Sequence, residues 1–529
     1  MTAEAEAGQL ASGQPAAGPG AAGGVPVPAA ALTLDPRQLG DLELILSGAF
    51  APLRGFMTRA DVLAVQAAAT LADGTPWPIP VTLDVPAQAV PGDAGSIMLS
   101  DPEGTPLAVL AITERTDLAG PGGLVRLAGE VTKNRPVEHG SFRRLMISPS
   151  QARAEWGESP VLAFVTRAPL GKRQIGQLKH LAGQLKARLL LLPLVAGPAL
   201  VVREPESLIR AVLAAARSLP AGTLVVPVPL AARDVSADRE AAAHALIAAA
   251  YGATHLMSDE TPGSASGAAA GSAVTVLVGA PIPVLASGDW AYDQRAEVWR
   301  PHALIEPGTE LDDLSADQLG DLLDAGAPMP AWFAPEAVLA ELRHARPPRS
   351  RRGFVIFLTG LSGSGKSTIA RDLRDLLAEY GDRRVSLLDG DLVRSLLSAG
   401  LTFSRADRDL NIARIGYVAT EIARHGGIAI CAPIAPYAQA REQVRQMVSQ
   451  VGDFLLVHVA TPVEVCEARD RKGLYAKARA GLIDHFTGVS DPYEEPTDAM
   501  LVIDTSVTAR EDATAAIITM LKSGGWLPD

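Results

Sequence analysis

The run Phe354-Val-Ile-Phe-Leu-Thr359 passes directly into Gly360-Leu-Ser-Gly-Ser-Gly365-Lys366-Ser367-Thr368, and this junction restricts the C-terminal third more than any other feature. Six consecutive strand-forming residues without polar alternation predict a strand covered on both faces. The following TIARDLRDLLAEY predicts a helix with Ile369, Leu373, Leu376 and Tyr380 on one face. A turn of the pattern G-x-x-x-x-G-K-[ST] between such elements is a phosphate-binding loop. Its glycines let backbone N–H groups point inward, and the helix N-terminus favours negative charge. Lys366 can reach the β- and γ-phosphates of a nucleotide, and the Ser367 hydroxyl can ligate Mg²⁺.

The next strand-like run, RRVSLL, ends in Asp389-Gly390-Asp391, followed by Arg394. Carboxylates at the C-terminal end of a parallel strand face the same crevice as the phosphate loop. At spacing i, i+2 both can point to one side. One can then hold Mg²⁺ through water while the other accepts a proton from an attacking hydroxyl, and the spacing leaves open which does which. Further on, Arg408, Asn411 and Arg414 recur every three residues on a predicted helix and could converge on one ligand, for which the arginine fork is suited. Phe403 could stack on a base or pack in the core. The cation-rich stretch EARDRKGLYAKARAGLIDHFTG alone would be a solvated helix, but its internal glycines lead us to expect a lid over anions.

At 529 residues the chain exceeds one ordinary core. We divide it into a disordered tail (1–28, broken by Gly and Pro and without a basic start), a β-rich region (29–148), an alternating strand–helix region (149–345), a linker (346–352) and a second α/β unit (353–529). SDETPGSASGAAAGSA reads as a mobile loop, and RHARPPRSRRG as a solvated hinge. A net charge of −12 argues against nucleic-acid and anionic-membrane partners. Cys431 and Cys466 are the only cysteines and are expected as buried thiols. No apolar run is long enough to span a bilayer, so a cytoplasmic location is expected.

The strings LTGLSGSGKST, LDGDLVR, GLTFSRADRDLNIARI, CAPIAPY, EARDRKGLYAKARAG and HFTG, in this order and spacing, resemble adenylyl-sulfate (APS) kinase across residues 353–529. The resemblance implies a P-loop kinase that phosphorylates the 3′-hydroxyl of adenosine 5′-phosphosulfate with ATP and Mg²⁺. It assigns ATP to Gly360 and to Gly363, Ser364, Gly365, Lys366, Ser367 and Thr368, the metal to Ser367 and Asp389, and catalysis to Lys366, Asp389 and Asp391. For APS it implies Asp391, Leu392, Val393 and Arg394, then Phe403, Arg408, Asp409, Leu410, Asn411 and Arg414, and finally Ile434, Ala435, Lys472, His485 and Phe486. Leu392 stands where relatives often have Asn. Ala435 stands where many have Ser, so no phosphoserine can form there and direct in-line transfer is the mechanism left.

The first 345 residues resemble ATP sulfurylase through LTLDPRQLGDLELILSGAFAPLRGFM, LADGTPWPIPVTLDV and PAWFAPEAV. The implied fold class is α/β throughout: a β-rich PUA-like domain, a Rossmann-like α/β domain, then the kinase with its parallel sheet. Sulfurylases carry T-R-N-P-L-H-x-x-H, whereas this chain has Thr166-Arg-Ala-Pro-Leu-Gly-Lys-Arg-Gln174. Gly171 and Gln174 replace both histidines and Ala168 the asparagine. The G-R-D-H-A-G string is also missing after Thr254-His255. We therefore expect no adenylyl transfer, although Lys172 and Arg173 could still bind an anion. The half would persist as scaffold, dimerisation surface or regulator of a homo-oligomer, with a separate active sulfurylase as a possible partner.

Overall fold

The computed structural model describes residues 30–119, 123–135, 140–197, 201–259, 274–381, 383–402, 404–483 and 485–528. The expected tail and most of the expected mobile loop lie outside them. Residues up to Leu145 form a mixed sheet around Leu124–Lys133, which pairs antiparallel with Leu83–Pro86, Pro106–Ala111 and Glu114–Asp117. WPIPVTLDV is a strand only from Leu83, because its two prolines lack ladder donors.

The region after it alternates as expected. Val161–Thr166, Arg188–Pro193 and Leu224–Val225 are parallel strands, with helices at Lys172–Leu185, Pro205–Ala216 and Ala237–Ala250. A small antiparallel sheet of Trp290–Asp293, Val298–Pro301 and Glu310–Leu311 was not anticipated.

The C-terminal unit holds five parallel strands: β1 Phe354–Thr359, β2 Val385–Asp389, β3 Ile428–Ala432, β4 Asp453–Val459 and β5 Leu501–Ile503. Their spatial order is β2-β3-β1-β4-β5. Its helices are α1 Lys366–Tyr380, α2 Gly390–Leu396, α3 Arg405–Arg424, α4 Ala438–Ser449, α5 Val463–Arg469, α6 Leu474–Arg479 and α7 Arg510–Ser523. Along β1 the side chains divide with period two. Phe354, Ile356 and Leu358 pack with α1 and α7, while Val355 and Phe357 pack with α3 and α4. The buried stripe of α1 is Ile369, Leu373 and Leu377; Leu376 is exposed, so the stripe follows i, i+4, i+8 rather than the expected i+7. Both cysteines are buried and free, as expected.

The expected solvated hinge is a pinned joint instead. A helix continues through Glu336–Ala345, and then three arginines gather on Asp324: Arg346 at 2.6 Å, Arg352 at 2.5 Å and Arg349 at 3.3 Å. Arg352 is only 3% exposed and also reaches Asp453 at the start of β4. Asp453 in turn takes Arg203 at 2.6 Å and the Trp526 indole N–H at 2.8 Å. Two sheltered carboxylates, one from each unit, need countercharge, and the linker supplies it. Among the described residues, no helix is long and apolar enough to cross a membrane.

Candidate active site

Because the strands of the C-terminal sheet are parallel, their C-terminal ends share one edge, and a cavity of about 570 Å³ lies there. That is ample for a nucleotide-sized ligand. The phosphate loop forms one wall. A Cβ on Gly360, whose φ is +148°, would sit 2.3 Å from the Val459 carbonyl oxygen; on Gly363, φ +79°, it would sit 2.8 Å from that of Cys466. Only glycine fits either position. Gly363, Gly365, Lys366, Ser367 and Thr368 line the cavity, while Ser364 is buried behind the loop and Gly360 makes its first bend. Lys366 donates from Nζ to the carbonyls of Gly360 (2.9 Å) and Leu361 (2.6 Å), which holds its ammonium at the loop. A phosphate oxygen is a stronger partner for it than either carbonyl.

Asp389, the last residue of β2, also lines the cavity. Asp391 lies in the first turn of α2, but its side chain, like the whole of Phe403, lies outside the described residues. From α3, Arg408 and Asn411 reach the cavity. Arg414 does not: it donates to the Leu397 carbonyl at 2.7 Å. At 3.6 residues per turn, six residues carry a side chain about 120° around the helix, too far for all three to converge. Arg394 lines the cavity, whereas Leu392, Val393, Asp409 and Leu410 stand outside its lining, Val393 being core and Leu392 and Leu410 solvent-exposed.

The floor is the turn after β3, with Ile434 and Ala435 in the lining. Ala435 adopts φ +45°, a left-handed conformation costing a non-glycine residue roughly 1 kcal/mol. It is held there from two sides. Buried Arg441 donates to the Ala435 carbonyl at 2.8 Å, and Thr359 Oγ1 donates to that of Ile434 at 2.6 Å.

The cation-rich stretch is broken into α5 and α6 and crosses the cavity, bringing in Lys472, His485 and Phe486. The rings of Tyr475 and Phe486 meet edge to face at 5.0 Å, and Tyr475 Oη donates to the Ser362 carbonyl at 2.9 Å. This ties the stretch to the phosphate loop. Burial pushes the Tyr475 phenol well above its usual range, so it stays a donor. Sequence reasoning missed Arg371, Arg469, Tyr475 and Thr487 in the lining. Arg469, Tyr475 and Thr487 lie inside the stretch whose glycines marked it as a lid, and that was the available signal. Nothing in the spacing marked Arg441.

In the N-terminal half, the segment after Thr166 is internally committed. Arg173 is bridged by Asp313 at 2.7 Å and Asp259 at 2.9 Å, and Gln174 donates to Asp259 at 3.1 Å. Lys172 Nζ donates to the Ala331 carbonyl at 2.7 Å. Arg167 donates to the carbonyls of Ala196 and Leu230. The two cations expected to be available to an anion already have partners.

Three protein-family profiles match the chain in order: PUA-like domain over residues 27–119, ATP-sulfurylase over 143–345 and Adenylylsulphate kinase over 352–504. A protein named sulfate adenylyltransferase from Mycosarcoma maydis is 36% identical, spanning 93% of this chain and 94% of its own. One of the same name from Phaeosphaeria nodorum is 37% identical over 94% of each. Among solved structures, the "Hexameric APS kinase from Thiobacillus denitrificans" is 34% identical, with a TM-score of 0.71 over 95% of this chain and 94% of that one.

Proposed function

The chain belongs to the family that joins PUA-like, ATP-sulfurylase and APS kinase domains and is an ATP-dependent kinase, and from that premise we propose that its C-terminal cavity moves the γ-phosphate of ATP to the 3′-hydroxyl of adenosine 5′-phosphosulfate, yielding PAPS. One observation carries the reading. A single cavity is bounded by a phosphate loop, by Asp389, and by three cations contributed by separate segments, Arg394, Arg408 and Lys472. Two polyanionic nucleotides brought together need that excess of positive charge within an acidic chain.

Lys366 neutralises the β- and γ-phosphates, and the loop N–H groups fix their orientation. Asp389 and Asp391 divide two duties, accepting the hydroxyl proton and anchoring the metal's shell. The Ser367 hydroxyl and Asp389, a chemically suitable donor set, would hold Mg²⁺, which would supply charge neutralisation for the phosphoryl group. Ala435 offers no hydroxyl, so the phosphoryl group passes directly between nucleotides. Arg408, Asn411, Ile434, Ala435, His485 and Phe486 receive the sulfated nucleotide, and the lid over them excludes water.

We also read the sulfurylase-like half as catalytically silent and structural, acting within a homo-oligomer supplied with APS by a separate enzyme. Supporting this, Gly171 and Gln174 offer no imidazole, and carboxylates occupy Arg173. The hexameric relative supports the oligomer. A second reading, a bifunctional enzyme, is favoured by full-length relatives named sulfate adenylyltransferase. Purified chain with ATP and Mg²⁺ is expected to form PAPS from APS and not from sulfate. PAPS from sulfate, or ATP from APS and pyrophosphate, would establish the second reading; no APS-dependent ADP release would remove the first.

A further inference from the structure

Arg408 enters the cavity wall with its guanidinium already gripped. Nη1 donates to Thr487 Oγ1 at 2.9 Å, and Nη2 donates to Tyr437 Oη at 2.8 Å and to the Asp491 carboxylate. Tyr437 Oη donates in turn to Asp491 Oδ2 at 2.7 Å, closing a three-membered ring of hydrogen bonds. The guanidinium carbon of Arg405 stacks 4.3 Å from the Tyr437 ring centroid and that of Arg408 5.2 Å from it, so the ring is held by cations as well. The carboxylate cannot drift: Asp491 bridges to Thr487 in the backbone, and its carbonyl accepts from the Gly488 N–H at 2.8 Å. Asp491 and Arg408 are both mostly buried, with side chains 16% and 11% exposed.

A carboxylate beside an anion-binding arginine opposes the net attraction for an anion. Its compensating effect is geometric, since a planar fork binds a phosphosulfate well only in one orientation. We infer that Asp491 and Tyr437 are positioning residues that fix the plane of Arg408, and that through it they set affinity for the sulfated nucleotide. The inference rests on the substrate assignment proposed above. Asp491 is read as an orienting group and not as a damper of charge.

The two roles predict opposite signs. If Asp491 orients, Asp491→Asn raises KM for APS by roughly tenfold, the size expected for one charge-assisted hydrogen bond, with kcat and KM for ATP within about twofold. Tyr437→Phe, which keeps the ring and loses the hydroxyl, raises KM for APS about threefold, a single neutral hydrogen bond. In the Arg408→Ala background, Asp491→Asn should raise KM for APS no further, because Asp491 acts through Arg408. Steady-state kinetics on the full-length chain, with melting curves for each variant, read all of this. An unchanged or lowered KM for APS, or full additivity of Asp491→Asn with Arg408→Ala, overturns the inference. So does a parallel rise in both KM values with a lowered melting temperature, which marks a purely structural role. Absence of APS turnover by the unaltered chain removes the substrate assignment and this inference together, and is distinguished by that control.

Discussion

Lys366 and Asp389 line one cavity from different elements, one opening a helix and the other closing a strand. Lys366 is buried and Asp389 half-buried, so thermal melts are needed beside kinetics to separate chemistry from folding. Lys366→Ala removes the ammonium that is held at the phosphate loop by the Gly360 and Leu361 carbonyls. We expect turnover to fall on the order of a hundredfold or more, as when one transition-state donor is lost, with the melting temperature little changed. Asp389→Asn should lower kcat comparably, because the amide neither takes a proton nor holds the metal's shell as a carboxylate does. Lys472→Ala should mainly raise KM for APS. Coupled ADP-release assays beside thermal melts check all three. Activity within a few-fold of the unaltered chain for Lys366→Ala would contradict its place in the mechanism. A rise in KM for ATP alone in Lys472→Ala would place that lysine on the other nucleotide.

At the level of elements, what was legible in the sequence is what local patterning encodes. The strand–loop–helix of β1 and α1 was readable because glycines with forced backbone angles and an apolar run sit side by side. The fate of Arg414 was not, because a spacing of three approximates a helical face for one step and fails over two. Ile434 and Ala435 in the floor of the cavity were named through the resemblance, but what fixes their turn was not readable. The turn depends on Arg441, which lies on α4 and touches Ala435 only through the tertiary fold. That arginine also donates to the Glu494 carbonyl at 2.8 Å, so one fork staples two loops. Lysine cannot reproduce the fork. Arg441→Lys should therefore cost about 2 kcal/mol of stability, the scale of a lost charged hydrogen bond, and raise KM for APS while sparing that for ATP. Denaturant melts and initial-rate kinetics would show it. Unaltered stability would mean that the left-handed turn holds itself.

Across the whole molecule, the cavity and the joint occupy opposite ends of one sheet. The cavity lies at the C-terminal ends of the parallel strands, whereas Asp453, which anchors the joint, begins β4 at their other end. The sulfurylase-like half thus meets the sheet at the end away from the cavity, and none of the described residues lining the cavity comes from it. The joint was misread as a hinge because arginines and prolines look alike whether water or a buried carboxylate receives them. Asp324 decides between the two. Its arginine partners outweigh the cost of burial and hold its carboxyl well below the usual range. A carboxylate with a depressed folded-state value contributes stability that is fully present above its unfolded value, near 3.9, and lost as pH falls through the folded one. Asp324→Asn should cost about 3 kcal/mol at neutral pH, since it leaves sheltered arginines without a countercharge. The gap in melting temperature between the unaltered chain and the variant should stay constant from about pH 8 to 5, then narrow below about pH 4 as protonation brings the unaltered chain to the variant's level. KM for both nucleotides should be unaffected at neutral pH, because the joint lies at the sheet edge away from the cavity. A gap as wide at pH 3 as at pH 7, or no gap at either, would return the linker to the solvated hinge its composition suggests.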